Sequence, residues 1–203
     1  MCVARPKVVV FDLGKVLVDF DFGIADVNLA RYCKCSPAEV HRVLHHGDLL
    51  YRYELGQIDT EGFYHDFQRQ TGFSGGLDEF GWAFGAIFSP LDAMIEFERE
   101  LRQRAVPTYI FSNTNELAIH CVQSQFAFFG GFRGYIYSYE QKAMKPQPRM
   151  YEVLEEWSGG RAGEILYFDD RPENVAAGVA RGWHGIIHES AEKSIAAARA
   201  LGL

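Results

Sequence analysis

Two apolar patterns alternate along the chain. Short runs rich in β-branched and aromatic residues stand at 7–11 (KVVVF), 106–111 (VPTYIF), 134–138 (GYIYS), 164–168 (EILYF) and 184–188 (HGIIH). Runs with so little polar alternation suit strands covered on both faces. Between and after them lie amphipathic stretches at 90–104, 116–126, 149–157, 173–181 and 189–201. Strands alternating with helices predict an α/β fold with a doubly wound parallel sheet. In such sheets a ligand sits beyond the carboxyl ends of the strands, so the residues that follow each apolar run carry the interest.

The stretch 22–88 breaks this rhythm. It has no clear buried strand and reads as helices at 24–32, 37–46, 48–55, 60–71 and 77–88, with a loop at 72–76. Ser36-Pro37-Ala38-Glu39 is a helix start with an N-cap serine, a proline at the first helical position and a glutamate that completes a capping box. Asp59-Thr60-Glu61 starts another. The expected organisation is one α/β core from 1–21 and 89–203, with a small helical domain inserted at 22–88. The insert's aromatic residues, Phe63, Phe67, Phe80, Trp82, Phe84 and Phe88, are read as a small core of its own. His41 and His45 share a helix face. With no third ligand evident nearby, that face is read as looking into the pocket with His46, Tyr51, Tyr53 and Glu54, rather than as a zinc site.

The strand ends are unusually polar. The first ends in Asp12 and the second in Ser112-Asn113-Thr114-Asn115. The third is followed by Lys142 and Lys145, and the fourth ends in Asp169-Asp170. A carboxylate can attack phosphorus, provided that something cationic offsets the repulsion between two anions. Asp12, Asp169 and Asp170 offer oxygen ligands to Mg2+ with no His or Cys among them, which is the donor type that hard ion takes. Lys145 would add a fixed positive charge, and Ser112 and Asn113 would donate hydrogen bonds to phosphate oxygens. Together these residues make a phosphoryl-transfer set.

Composition narrows the partners. The chain has 203 residues, 48% hydrophobic and 23% charged, with a formal net charge of −7. That balance speaks against a general nucleic-acid or anionic-membrane binder. No apolar run near the start is long enough for a signal peptide, and none elsewhere is long enough to span a bilayer. Cys2, Cys33, Cys35 and Cys121 lack the C-x-x-C spacing of zinc or redox sites. A cytoplasmic protein with reduced thiols is expected, as a monomer or a homodimer.

With the site residues in view, a family resemblance emerges. FDLGKVLVDFDF, FSNTN, MKPQPRMY and YFDDRPENVAAG resemble, in order, the four motifs of the haloacid dehalogenase (HAD) superfamily, subfamily IA. The helical insert after the first motif resembles that family's C1-type cap. The branch most resembled is that of the glucose-1-phosphatase-like and epoxide-hydrolase N-terminal-like phosphatases. The resemblance implies a Rossmann-like core and Mg2+-dependent hydrolysis of a small phosphorylated metabolite, such as a sugar phosphate, through an aspartyl-phosphate. It implies Asp12 as nucleophile and metal ligand, Gly14 as the residue whose backbone carbonyl reaches the metal, and Ser112 and Asn113 as phosphate contacts. Lys145 would steady nucleophile and phosphate, Asp170 would bind the metal directly, and Asp169 would be a second acidic contact, with Asn174 supporting the loop.

One position departs from the common pattern. Many members carry an aspartate two residues after the nucleophile as general acid and base; here that residue is Gly14. A glycine cannot move a proton, which argues against a sugar phosphomutase. Asp19 and Asp21 could stand in for the missing acid or simply shape the turn into the insert, and Lys15 could reach substrate or remain in solvent. Two other functions stay open: metal-free hydrolysis of a 2-haloacid, against which the Asp169-Asp170 pair argues, and a weakly catalytic module that binds a phosphometabolite, which Gly14 keeps in play.

Overall fold

A computed structural model describes residues 5–203. Cys2 lies outside them. Five strands form one parallel sheet: β1 (Val8–Phe11), β4 (Thr108–Ser112), β5 (Gly134–Tyr137), β6 (Ile165–Asp169) and β7 (His184–Ile187), in spatial order β5-β4-β1-β6-β7. Every residue of β1 is buried, as a run without polar alternation requires. Val9 and Phe11 enter one hydrophobic cluster while Val8 and Val10 enter another. Successive side chains thus feed the cores on opposite faces of the sheet. Helices α6 (Asp92–Gln103), α7 (Glu116–Gln125), α8 (Ser138–Gln141), α9 (Pro148–Ser158), α10 (Pro172–Ala180) and α11 (Ala191–Ala200) complete this part. The architecture is the α/β, Rossmann-like parallel sheet expected from the alternating pattern.

Residues between β1 and β4 hold helices α1 (Phe22–Ala30), α2 (Pro37–His45), α3 (Leu49–Glu54), α4 (Thr60–Thr71) and α5 (Leu77–Gly85). Ser36 and Glu39 close the expected capping box at α2, and Asp59 caps α4. The aromatic residues pack on one another: Phe63 stacks on Tyr53 at 4.4 Å, and Phe80 meets Phe63, Phe67, Phe73 and Phe84. Trp82 is exposed rather than part of this core, because it faces outward on α5 while Phe80 and Phe84, two positions either side, face in.

The last insert helix was expected to run to 88. It stops at Gly85, and Phe88–Pro90 forms strand β3 antiparallel to β2 (Val18–Phe20), with Phe20 opposite Phe88. Phe88 packs against both the core and the insert clusters. Burial of that ring between two cores outweighs the helical pattern. The chain therefore leaves and re-enters the core along a two-stranded ribbon.

The insert is seated on the core by named contacts. Leu117 N–H donates to Tyr53 Oη at 3.1 Å, Ser138 Oγ donates to the Glu54 carbonyl at 2.7 Å, and Lys142 Nζ reaches the Gly56 carbonyl at 2.5 Å. Lys142 thus serves the seat rather than the carboxylates. Cys33, Cys35 and Cys121 are free thiols. Among the described residues no helix is long and apolar enough to cross a membrane.

Helices α5 and α7 approach closely at Gly85, where a β-carbon would stand 1.9 Å from Cys121 Sγ and 2.9 Å from its Cβ. Gly85→Ala is expected to overpack this contact and lose about 1–3 kcal/mol of stability. Cys121→Ala, by removing the nearer atom, should restore part of that loss in the double variant. Urea unfolding of the four proteins reads the coupling directly.

Candidate active site

Three strand ends meet at the middle of the sheet's carboxyl edge. Phe11 stands opposite Phe168 in register, so the next residues, Asp12 and Asp169, leave the sheet side by side. Asp12 N–H donates to the Phe168 carbonyl at 2.8 Å. Carboxylate oxygens of Asp12, Asp169 and Asp170 all lie within 4.8 Å of one another.

Lys145 is the positive centre of this group and is buried with it. Its Nζ donates to Asp169 Oδ2 at 2.6 Å and to the Phe111 carbonyl at 2.8 Å, and lies 3.1 Å from Asp12 Oδ1. Three oxygens thus match the three N–H groups of an ammonium. Its backbone is clamped as well: Lys145 N–H donates to Asn113 Oδ1 at 2.7 Å, and Asn113 Nδ2 donates to the Lys145 carbonyl at 3.0 Å. The Asn113 side chain, expected to touch phosphate, is therefore spent on holding the lysine loop. What it can still offer an anion is a backbone group. Ser112 Oγ has only a long 3.4 Å contact to the Asn113 carbonyl and can turn to a stronger acceptor.

Asp169 is fully buried and saturated. It accepts from Lys145, the Tyr167 hydroxyl, Arg171 N–H at 2.8 Å and Asn174 Nδ2 at 3.0 Å. Burial opposes its ionisation most, but the Lys145 charge and these donors together hold its carboxyl below the usual range. Asp12 behaves oppositely. Burial pushes it up to about 7, with Lys145 pulling down and Asp169 adding like-charge repulsion. Asp170 is also raised, first by burial and then by Asp169. Three carboxylates share one ammonium, and the two less well supplied are shifted toward their neutral forms. An all-oxygen cluster with that deficit of positive charge fits a hard divalent cation such as Mg2+.

Next to the cluster lies a cavity of about 80 Å³. Gly14, Glu54, Ser112, Asn113, Thr114 and Asn115 line it together with an apolar wall of Phe20, Phe22, Phe84, Ile87 and Phe88. That volume is far below the roughly 300–1,000 Å³ of small-molecule pockets, so this closed arrangement admits only part of a metabolite. A wider cleft of about 650 Å³ is lined by Lys15, Asp19, Asp170 and His188 among others. A further groove, of about 720 Å³ beside Tyr135 and Trp157, is lined by none of the strand-end residues Asp12, Gly14, Ser112, Asn113, Lys145, Asp169 or Asp170.

The remaining sequence candidates separate cleanly. Lys15 pairs with Asp19, donates to the Phe20 carbonyl at 3.1 Å and sits 4.5 Å from the Phe20 ring centroid. The hydrogen bond from Lys15 holds the Asp19 carboxyl below its ordinary range, which makes it a poor proton donor at neutral pH. Asp21 caps α1 through Gly23 N–H. Of the insert residues expected at the pocket, Glu54 lines the cavity, whereas His41, His45, His46, Tyr51 and Tyr53 do not. Burial raises the Glu54 carboxyl to about 7, against the pull of Arg171. Tyr167 and Ser138 were missed. Tyr167 lies two residues before Asp169, hence on the same side of a strand, and Ser138 ends its own apolar run; both positions were readable from the period of a strand.

Similarity to known proteins agrees with this geometry. Residues 6–182 match the family described as haloacid dehalogenase-like hydrolases. A sesquiterpene phosphatase, astK, from Aspergillus oryzae is 25% identical over 182 residues, covering 89% of this chain and 88% of that protein. The fold is similar to that of a HAD family enzyme from Bacteroides thetaiotaomicron in complex with magnesium and inorganic phosphate. There the TM-score is 0.79 at 20% identity, over 91% of this chain and 96% of that one. An L-2-haloacid dehalogenase from Xanthobacter autotrophicus is more distant, with a TM-score of 0.61 at 19% identity over 88% of this chain and 75% of that one.

The raised Asp12 carboxyl carries a stability signature. The unfolded chain releases this proton near 3.8 and the metal-free folded chain near 7. Between those values the folded state binds more protons, so the Asp12 contribution falls as pH rises from about 4 to about 7 and is level above. Asn at this position has no proton to lose. In excess chelator, Asp12→Asn should therefore melt above wild type at pH 8, by about 2–4 °C for each kcal/mol recovered. The gap should close towards pH 4 in a calorimetric pH series.

Proposed function

The chain belongs to the haloacid dehalogenase-like hydrolases, and from that premise we propose that it is a Mg2+-dependent phosphatase acting on the monophosphate ester of an apolar alcohol. The observation that carries the substrate class is the group of Phe20, Phe22, Phe84, Ile87 and Phe88 that lines the same cavity as Ser112 and Gly14. A sugar, which the sequence resemblance suggested, needs a ring of hydrogen-bonding partners; of the polar lining residues, Asn113 and Asn115 are spent on Lys145 and on the cap of α7, which leaves Glu54, Ser112 and Thr114. The likeness to a sesquiterpene phosphatase supports the apolar reading. The helical insert at 22–88 would act as the cap that supplies the wall and closes over the substrate.

In this reading Asp12 attacks phosphorus, the bond from phosphorus to the alcohol oxygen breaks, and an aspartyl-phosphate forms on Asp12. Water then attacks that phosphorus, frees inorganic phosphate and returns the carboxylate. The carboxylates of Asp12 and Asp170 and the Gly14 carbonyl would hold Mg2+, which supplies positive charge opposite the phosphoryl oxygens. Asp169, already saturated, contributes its charge from behind and fixes Lys145. Lys145 keeps Asp12 in place, and Ser112 Oγ and the Asn113 backbone N–H receive the phosphoryl oxygens.

Glu54 takes the proton-transfer role that Gly14 cannot fill. It lines the same cavity as Gly14, its backbone is fixed to the core by Ser138, and its carboxyl titrates near neutrality, where a general acid works best. It would protonate the departing alcohol and then draw a proton from the incoming water. A metal-free dehalogenase is disfavoured, because Asp170 would add only repulsion to a site that already lacks positive charge.

Isoprenoid, aryl and sugar monophosphates compared with and without Mg2+ test the assignment. Turnover should favour the apolar esters by at least tenfold, vanish in excess chelator and vanish in Asp12→Asn; chloride release from 2-haloacids without Mg2+ would overturn it.

Glu54→Gln should slow alkyl phosphates by about 10²–10⁴-fold, the range of a positioned general acid. p-Nitrophenyl phosphate, whose leaving group needs no proton, should lose far less. Equal losses on both would remove Glu54 from this role.

A further inference from the structure

A second cluster of metal-type donors lies inside the helical insert. His41 and His45 lie one turn apart on α2. The third ligand that sequence spacing did not reveal is Asp26, on α1. Ligand atoms of Asp26, His41 and His45 all lie within 4.8 Å of one another. Asp26 Oδ2 is 2.8 Å from His41 Nδ1, and the two imidazoles stand 4.6 Å apart between ring centroids.

What singles this cluster out is what it leaves unpaired. Among the described residues, two buried side-chain polar atoms have no hydrogen-bond partner: Asp26 Oδ1 and His45 Nε2. Both belong to this trio, and Asp26 itself is only 6% exposed. A buried polar atom left unpaired costs about 1–3 kcal/mol, so two in one cluster call for a common partner. No aspartate of the phosphatase site takes part.

We infer that Asp26, His41 and His45 form a second metal site, for a borderline transition-metal ion of the zinc class, clasping α1 to α2. Two imidazoles and one carboxylate are the donor set that zinc accepts and magnesium does not favour. Tetrahedral coordination leaves one position for water or a further donor. His41 is half-exposed, which gives the ion a way in from solvent. His46 stands beside it, 5.5 Å away between ring centroids. The site also touches the substrate wall. The His45 ring meets Phe22 edge to face at 4.5 Å, and Phe22 lines the cavity beside Ser112. An ion at His45 would therefore stiffen one panel of the apolar wall.

The test uses the full chain with Mg2+ in excess, so that the carboxylate site is filled. Wild type, His41→Ala, His45→Ala and, as control, Asp12→Asn are titrated with Zn2+ by calorimetry, and their melting temperatures are followed with and without Zn2+. Visible absorption after Co2+ substitution reads the coordination. Wild type and Asp12→Asn should each bind one equivalent of Zn2+ and melt higher with it. His41→Ala and His45→Ala should bind at least tenfold more weakly and lose the shift. His41→Ala, changing a half-exposed side chain, decides the matter if His45→Ala does not fold. Zn2+ binding that survives both histidine changes, or that disappears with Asp12→Asn, would overturn the site. So would a wild type that takes up no Zn2+.

Discussion

The structure turns on the buried ion pair between Lys145 and Asp169. Both side chains are withdrawn from solvent, and an ion so placed is tolerable only when its partners are fixed in advance. Much of the surrounding architecture supplies those partners. β4 delivers the Phe111 carbonyl, the loop after it delivers Asn113 to grip the lysine backbone, and β6 delivers Tyr167. The start of α10 delivers Asn174 and the Arg171 N–H. The pair is not an ornament of stability. It fixes one positive charge beside Asp12 while absorbing most of that charge itself, and so leaves the site hungry for a cation.

That hunger explains a division of labour among like residues. Asp169 and Asp170 are neighbours in sequence, yet one is held ionised by donors on every side and the other is raised by burial and by its neighbour. The saturated one has little left to give a metal; the under-supplied one has a great deal. Chemical identity and adjacency do not separate them. Only the count of donors aimed at each oxygen does.

The sheet and the polar strand ends were legible in the sequence because a strand buried on both faces leaves an unmistakable run, and because Asp12 and Asp169 terminate such runs. Ser36 and Asp59 announced their helices through local chemistry alone. What sequence could not carry was partnership across space. Asn113 reads as a phosphate contact until Lys145 is seen in its grip. His41 and His45 read as two histidines on a face until Asp26 arrives from a neighbouring helix. The ribbon of Phe20 and Phe88 was hidden because its pairing joins residues on either side of the whole insert. Glu54 was one polar residue among several on the insert, distinguished only once Ser138 and the cavity wall placed it.

The crowding over Gly14 has a historical side. A β-carbon there would stand 2.8 Å from the Phe20 ring, and Phe20 is tied to Phe88 across the ribbon. Positions 14 and 20 are therefore not free to change independently. A lineage that acquired an acid at 14 while keeping the ring would meet a collision; one that first trimmed the ring would breach the apolar wall before gaining any acid. Packing thus couples an acid at position 14 to the ring at position 20, whereas an acid supplied from the insert leaves that contact undisturbed.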